Sequence, residues 1–270
     1  MSSNSRITIL GTVSDINAMQ DHRTSAGIVI ENDDSIFVID PGIGTVVRSA
    51  QANIQLNNIN AILVSDSSII YTNDVNALIE HTNRDIHLIS PSKFLKHEES
   101  SLTKNHSKNL KIVNVDSDKR TIIKGVEIEA YSYGSKLDSI SYKITTGKYV
   151  LGYITKARHT KSLIEKFNDT NILIINLHNI NDKNSEYLDY EEIIDIIKNV
   201  APELAIINGF SKKAINLDPL DLVRKMKAEI QKEKNDKIIK TQIHVAKELM
   251  TINPEIYNIK LKQKRLKGFF

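Results

Sequence analysis

Hydrolytic sites are built mainly from imidazole, carboxylate, thiol and activated hydroxyl groups. This chain of 270 residues distributes those groups in a way that excludes several chemistries at once. It has no Cys, which removes thiol nucleophiles, disulfides, zinc ribbons and iron–sulfur clusters. Its eight His (22, 81, 87, 97, 106, 159, 178 and 244) are scattered, with no His-x-His or His-x-x-x-His pair. No Gly-x-Ser-x-Gly elbow supports a Ser-His-Asp nucleophile. A metal site assembled from Asp40, Asp66, Asp74, His159 or His178 would have no ligand spacing to recommend it. Asp40, before Pro41-Gly42, suits a turn, and His178 closes an apolar strand segment. A different constellation lies near the end of the sequence. In one 3₁₀-like turn Leu266 and Phe269 fall on the same side with Phe270 adjacent, forming an apolar plug beside Gln263.

The elements that must position these groups are short. Ile- and Val-rich segments bounded by Gly, Asn, Asp or Ser predict strands over 6–10, 26–31, 35–40, 61–65, 86–90, 111–115, 120–123 and 126–131, and again over 139–145, 149–153, 171–177, 204–207 and 242–245. Helices are expected over 45–56 and 160–167, after Thr72, after Asp189 with its Glu192 capping-box partner, and over 220–234 behind Asp218-Pro219. Strands precede helices in both halves, so the class is α/β or α+β. Asn253-Pro254 reads as a linker, dividing a body over 1–252 from a basic tail over 253–270.

Composition sets the limits. With 40% hydrophobic and 26% charged residues the chain is an ordinary soluble globular protein. Its longest apolar runs, such as Asn171-Ile-Leu-Ile-Ile-Asn176, are too short to span a bilayer, and no signal peptide opens the sequence. A cytoplasmic protein with no membrane partner is expected. The net charge of +3 is too small to make the whole body a nucleic-acid binder.

Six segments in order resemble the metallo-β-lactamase-fold hydrolases, in particular an archaeal-looking branch. They are Ile9-Leu-Gly-Thr12, Phe37-Val-Ile-Asp-Pro-Gly42, Ala61-Ile-Leu-Val-Ser65, Asn73-Asp-Val-Asn-Ala-Leu-Ile79, Leu204-Ala-Ile-Ile207 and Met250-Thr-Ile252. The resemblance covers roughly residues 6–252 and implies a four-layer αβ/βα sandwich with the site at one edge, between two sheets. Such enzymes hold one or two metals through imidazoles and carboxylates, and the metal lowers the pKa of a water to make hydroxide. The matching positions here carry other groups. The His-x-His-x-Asp-His stretch corresponds to Asp66-Ser-Ser-Ile-Ile-Tyr71, so its ligands fall on Asp66, Ser68, Ile70 and Tyr71. The remaining ligand positions fall on Gly134, Lys156, Tyr187 and Gly209, with Lys156 standing where the metal-bridging aspartate belongs. An ammonium cannot coordinate a dication and repels it.

The resemblance thus implies a hydrolase scaffold without its metal or any cofactor. Two further readings stay open: a hydrolase of nuclease or phosphodiesterase type with a rebuilt metal site, and an anion or nucleotide sensor. For the sensor, Ser65, Ser67, Ser68 and Thr72 with Lys156 form a candidate anion pocket, Thr72 starting a helix whose amides face the cleft. Lys156 instead closes the site if it pairs with Asp66 or Asp40, with Ile70, Tyr71 and Tyr187 filling the cavity.

The tail carries the sharpest signal. Gln263-x-x-Leu266-x-x-Phe269-Phe270 resembles the PIP box, the peptide that binds the sliding clamp PCNA. That resemblance implies that Leu266, Phe269 and Phe270 fill an apolar pocket while Gln263 hydrogen-bonds beside it. Lys260, Lys262, Lys264, Arg265 and Lys267 face one acid, Glu255, from residue 253 onward, and would steer the peptide to an acidic partner. The expected function is an accessory or adaptor in DNA replication or repair, clamp-bound and only indirectly in contact with DNA.

Overall fold

The computed structural model describes residues 5–82, 85–96, 102–103, 105–106, 110–132, 138–180, 187–232 and 240–257. Gly134 and the tail residues Gln263, Leu266, Phe269 and Phe270 lie outside them. Two seven-stranded mixed sheets stand face to face among the described residues. The first contains β1 (Arg6–Ile9), β2 (Ile28–Asn32), β3 (Ser35–Ile39), β4 (Ile59–Leu63), β5 (Ile86–Pro91), β6 (Leu110–Val115) and β14 (Met250–Ile252), in the order β14-β1-β2-β3-β4-β5-β6. The second contains β7 (Lys119–Ile123), β8 (Val126–Ser132), β9 (Ile140–Thr145), β10 (Val150–Ile154), β11 (Ile172–Asn176), β12 (Leu204–Asn208) and β13 (Gln242–Val245), in the order β13-β12-β11-β10-β9-β8-β7.

Side-chain alternation makes both faces of the first sheet. Ile28, Ile30, Phe37, Ile39, Ala61 and Leu63 join the core shared with the second sheet. Their neighbours Val29, Val38 and Ile62 point to the opposite face, where Val75 and Leu78 of the helix α3 (Val75–His81) cover them. On the far side of the second sheet lie α5 (Lys161–Phe167), α6 (Tyr190–Val200) and α8 (Pro219–Gln231), which bury Phe167, Ile193, Ile197 and Met226. Helix, sheet, sheet and helix therefore stack in four layers, the αβ/βα metallo-β-lactamase-like sandwich. Tyr142 staples the layers, its hydroxyl donating to Val64 O at 2.6 Å in the opposite sheet. Among the described residues no helix is long and apolar enough to cross a membrane.

Local signals place most helix starts. Asp189 and Glu192 form the expected capping box, and Asp218 accepts from Leu220 N–H with Pro219 in the first turn. The helix α1 (Thr45–Gln51) ends before residue 56, where Asn53 turns left-handed at φ 55°. Asn253-Pro254 does not act as a free linker: Pro254 is buried and Glu255 pairs with Lys148 at 3.4 Å.

The Thr72 expectation needs correcting. Thr72 ends the four-residue helix α2 (Ile69–Thr72), and its hydroxyl donates back to Ser68 O at 3.1 Å. A Thr satisfied on the carbonyl four residues earlier sits inside a helical turn rather than capping the next one. Asp74 precedes α3 but accepts from Val46 N–H at 3.1 Å, so its carboxylate serves another segment.

Candidate functional site

The C-terminal ends of parallel strands from both sheets meet at one rim, the usual place for a site in such topologies. Asp40 follows β3, Ser65 and Asp66 follow β4, Thr155 and Lys156 follow β10, His178 follows β11, and Gly209 follows β12. Each strand delivers its polar residue as the ladder stops.

At the mouth, Lys156 Nζ donates to Asp66 Oδ2 at 2.9 Å, with side-chain exposures of 17% and 12%. The ammonium is 5.1 Å from the Tyr71 ring centroid and 5.7 Å from that of Tyr187, so two aromatic faces and a carboxylate surround it. The second Asp66 oxygen accepts from Ser68 N–H at 2.9 Å. The backbone joins the same seam: Ile140 N–H donates to Ser65 O at 2.7 Å, and the Ser139 hydroxyl donates to Lys156 O.

Beneath the ion pair is a buried polar layer. Asp40 accepts from Ser65 N–H at 2.6 Å, from the Ser65 hydroxyl at 2.5 Å and from the Tyr153 hydroxyl of the opposite sheet at 2.7 Å. Burial outweighs these donors and raises the Asp40 carboxyl to about 7. Asn176 donates to Tyr153 Oη at 3.0 Å and to Thr155 Oγ1 at 3.2 Å. His178 lies 3.3 Å from Tyr71 Oη and is pushed down to about 3, by burial first and the Lys156 charge second, so its imidazole is neutral. Burial also holds the Tyr71 phenol well above its usual range.

The structure thus brings Asp66, Tyr71, Lys156 and Tyr187 into one cluster, with Ser68 bound to Asp66 and Ile70 buried behind it. Gly209 reaches the cluster from below. Its φ is 58°, its carbonyl accepts from the Ser14 hydroxyl at 2.7 Å, and a Cβ there would lie 2.4 Å from Asn176 Cγ.

The hydroxyls of the expected anion pocket do not converge on Lys156, which corrects that expectation. Ser65 bonds Asp40, the Ser67 hydroxyl donates to Asp138 at 2.8 Å, and Thr72 bonds Ser68 O. Ser68 Oγ is buried without a partner. The Lys156 charge is already matched by Asp66.

Of the groups considered for a rebuilt metal site, Asp40, Asp66 and His178 share this rim, each engaged by other partners, while Asp74 and His159 lie away from it. Asp74 caps α1, and His159 pairs with Asp195 at 2.7 Å on the surface. Among the described residues no three His, Cys, Asp or Glu side chains gather as a ligand set. Among the described residues the donors at this rim therefore do not make a dication site: a single imidazole, one carboxylate held by an ammonium, a second carboxylate, Asp40, engaged by Ser65 and Tyr153, and phenols held protonated by burial.

Tyr153, Asn176 and Thr155 bond into this polar layer and were not among the residues expected from the sequence. A legible sign was available: β11 and β12, otherwise aliphatic, both end in Asn, at 176 and 208. A polar residue closing a fully buried strand marks the rim where ladder hydrogen bonds give way to side-chain ones.

No protein-family model and no curated protein sequence matches the chain. Solved structures do. The metallo-β-lactamase-fold protein YhfI from Bacillus subtilis superposes with TM-score 0.73 over 93% of this chain and 100% of its own, at 12% identity. The short form of human tRNase Z gives TM-score 0.66 over 92% and 99%, at 10% identity. Zinc-bound PqqB from Methylobacterium extorquens gives 0.66 over 92% and 99%, at 14% identity. At these identities the likeness establishes the architecture, and it extends over the whole length of each neighbour.

Proposed function

We propose that this metallo-β-lactamase-fold chain has given up metal-dependent hydrolysis and works as an accessory protein of DNA replication or repair, bound to the sliding clamp PCNA through residues 263–270. The observation that carries the first half is the Lys156–Asp66 ion pair at 2.9 Å, enclosed by the Tyr71 and Tyr187 rings. In the metal-dependent members of this fold the equivalent space holds positively charged ions among imidazoles and carboxylates. Here one ammonium supplies the positive charge, one carboxylate balances it, and aromatic rings fill the remainder. Nothing in that set lowers the pKa of a water.

The second half rests on the spacing of Gln263, Leu266, Phe269 and Phe270. Two aromatic anchors and one aliphatic one, if brought to one side by a 3₁₀-like turn on binding, would form a compact hot spot, and the five neighbouring cations would raise the association rate with an acidic surface. Micromolar affinity is expected where a peptide is ordered as it binds.

Calorimetry of the full-length protein with PCNA tests the tether. Micromolar binding is expected for the parent, and none for Leu266→Ala combined with Phe269→Ala. Equal affinity of parent and variant would remove the tail from the account.

A further inference from the structure

The second sheet ends at β13, and the ladder decides which of its backbone groups are used. Gln242 N–H donates to Glu203 O at 2.9 Å and Ala246 N–H to Ile207 O at 2.9 Å. With the period of two, Gln242, His244 and Ala246 face β12, so the N–H and C=O groups of Ile243 and Val245 point to the outer edge. Among the described residues no strand pairs with that edge.

Helix α8 runs beside it. Between them lie two adjoining cavities of about 450 and 370 Å³, which share Leu220, Val245 and Lys247 and so form one groove. Its floor is aliphatic, from Leu220, Val223, Ile243 and Val245. Leu220 is 43% exposed, an apolar side chain left at the lip.

The rim is cationic. Arg23 borders one cavity, Arg224 and Lys227 the other, and Lys247 both. Arg224, Lys227 and Lys247 form no ion pair among the described residues, whereas nearby Lys225 and Lys212 are held by Asp221 and Asp21. Both acids of the lining are engaged. Asp218 accepts from Leu220 N–H at 3.0 Å at the start of α8, and Glu248 holds Arg48 at 2.5 Å together with Thr24 N–H.

Three properties select an occupant. An unpaired strand edge accepts an extended backbone, unpaired cations select acidic side chains, and an aliphatic floor selects aliphatic ones. The lining holds no Phe, Tyr or Trp, and its rings are single imidazoles, His22 in one cavity and His244 in the other, so stacking surface for nucleobases is small beside the aliphatic floor. The chain's own tail, with its five cations, has the wrong sign.

We propose that this groove docks an extended segment of a partner protein in which acidic and aliphatic residues alternate, added as a strand to the outer edge of β13.

The test uses the full-length protein and a fluorescein-labelled peptide of alternating Glu and Val, read by anisotropy. A peptide with Lys in place of Glu and a short single-stranded oligonucleotide serve as the other arms. Saturable binding of the acidic peptide alone is expected. Arg224→Glu with Lys227→Glu, both on the exposed face of α8, should weaken it at least about tenfold. Val245→Pro removes an outward N–H while sparing the donors to β12, and should weaken it severalfold with an unchanged melting curve. Acidic-peptide affinity untouched by the charge reversal overturns the proposal, as does oligonucleotide binding without peptide binding. Should Val245→Pro alter the melting curve, the charge-reversal pair and the Lys-containing peptide decide the matter alone.

Discussion

Lys156, which follows the strand β10 in one sheet, donates to Asp66, which follows β4 in the other, across 2.9 Å. The pair closes the rim between the sheets and is largely screened from solvent. A charge in that position is costly if its partner is removed, and less so if both are replaced by apolar groups. Asp66→Ala or Lys156→Ala alone should cost about 2–4 kcal/mol in urea unfolding. Asp66→Leu combined with Lys156→Met should cost clearly less than the sum of the two single changes, a coupling that a double-mutant cycle reads directly.

The polar layer beneath makes stability depend on pH in two opposed ways. Asp40 titrates near 7 in the folded chain against 3.8 unfolded, so its contribution is full below pH 3.8 and is lost as pH rises through 7. His178 titrates near 3 folded against 6.5 unfolded, so its contribution is full above pH 6.5 and is lost as pH falls toward 3. Asp40→Asn should therefore flatten the loss that accompanies rising pH between 3.8 and about 7, and His178→Gln the loss that accompanies falling pH between 6.5 and about 3, in melting curves collected across this range. A slope unchanged by either substitution would refute the assignment for that residue.

Gly209 is the point where β12 passes under the site. Its φ of 58° and the 2.4 Å approach to Asn176 Cγ leave no room for a methyl group. Gly209→Ala should cost about 2–4 kcal/mol, from left-handed strain together with overpacking. Gly147→Ala, with nothing within 4 Å of the added carbon, is the control and should cost far less. Denaturant midpoints compare the two.

Much of the fold was legible because the strands announce themselves. The segments expected over 171–177 and 204–207 carry aliphatic runs at 172–175 and 204–207, each bounded by polar residues, and both lie within a rung or two of the observed β11 and β12. Boundaries moved where tertiary bonds replaced the ladder. The strand expected over 61–65 stops at Leu63, because Asp40 captures the N–H of Ser65. The strand β14 was visible only as a motif: three residues hold as a strand through pairing of Ile7 with Ile252 and Ile9 with Met250, some 240 positions away. Such long-range partners leave no local pattern.

The site was legible in its residue types and obscure in its partners. Lys156 had two carboxylates to choose from, and spacing could not decide between Asp66 and Asp40. The structure shows why Asp66 takes it: Asp40 is turned inward onto Ser65 and Tyr153, beneath the rim. Tyr153 lies in an apolar strand, where nothing in the sequence marks its hydroxyl as the donor that ties one sheet to the other.

The central claim is that an ammonium–carboxylate pair occupies the place where a hydroxide-generating ion would sit. Elemental analysis of the purified full-length protein, after dialysis against metal-free buffer, tests it most directly. The account predicts no stoichiometric zinc, manganese or iron, and no gain in melting temperature when these ions are added back. One or two tightly held ions per chain, with a matching thermal shift lost on chelation, would contradict it and return the rim to an active hydrolase.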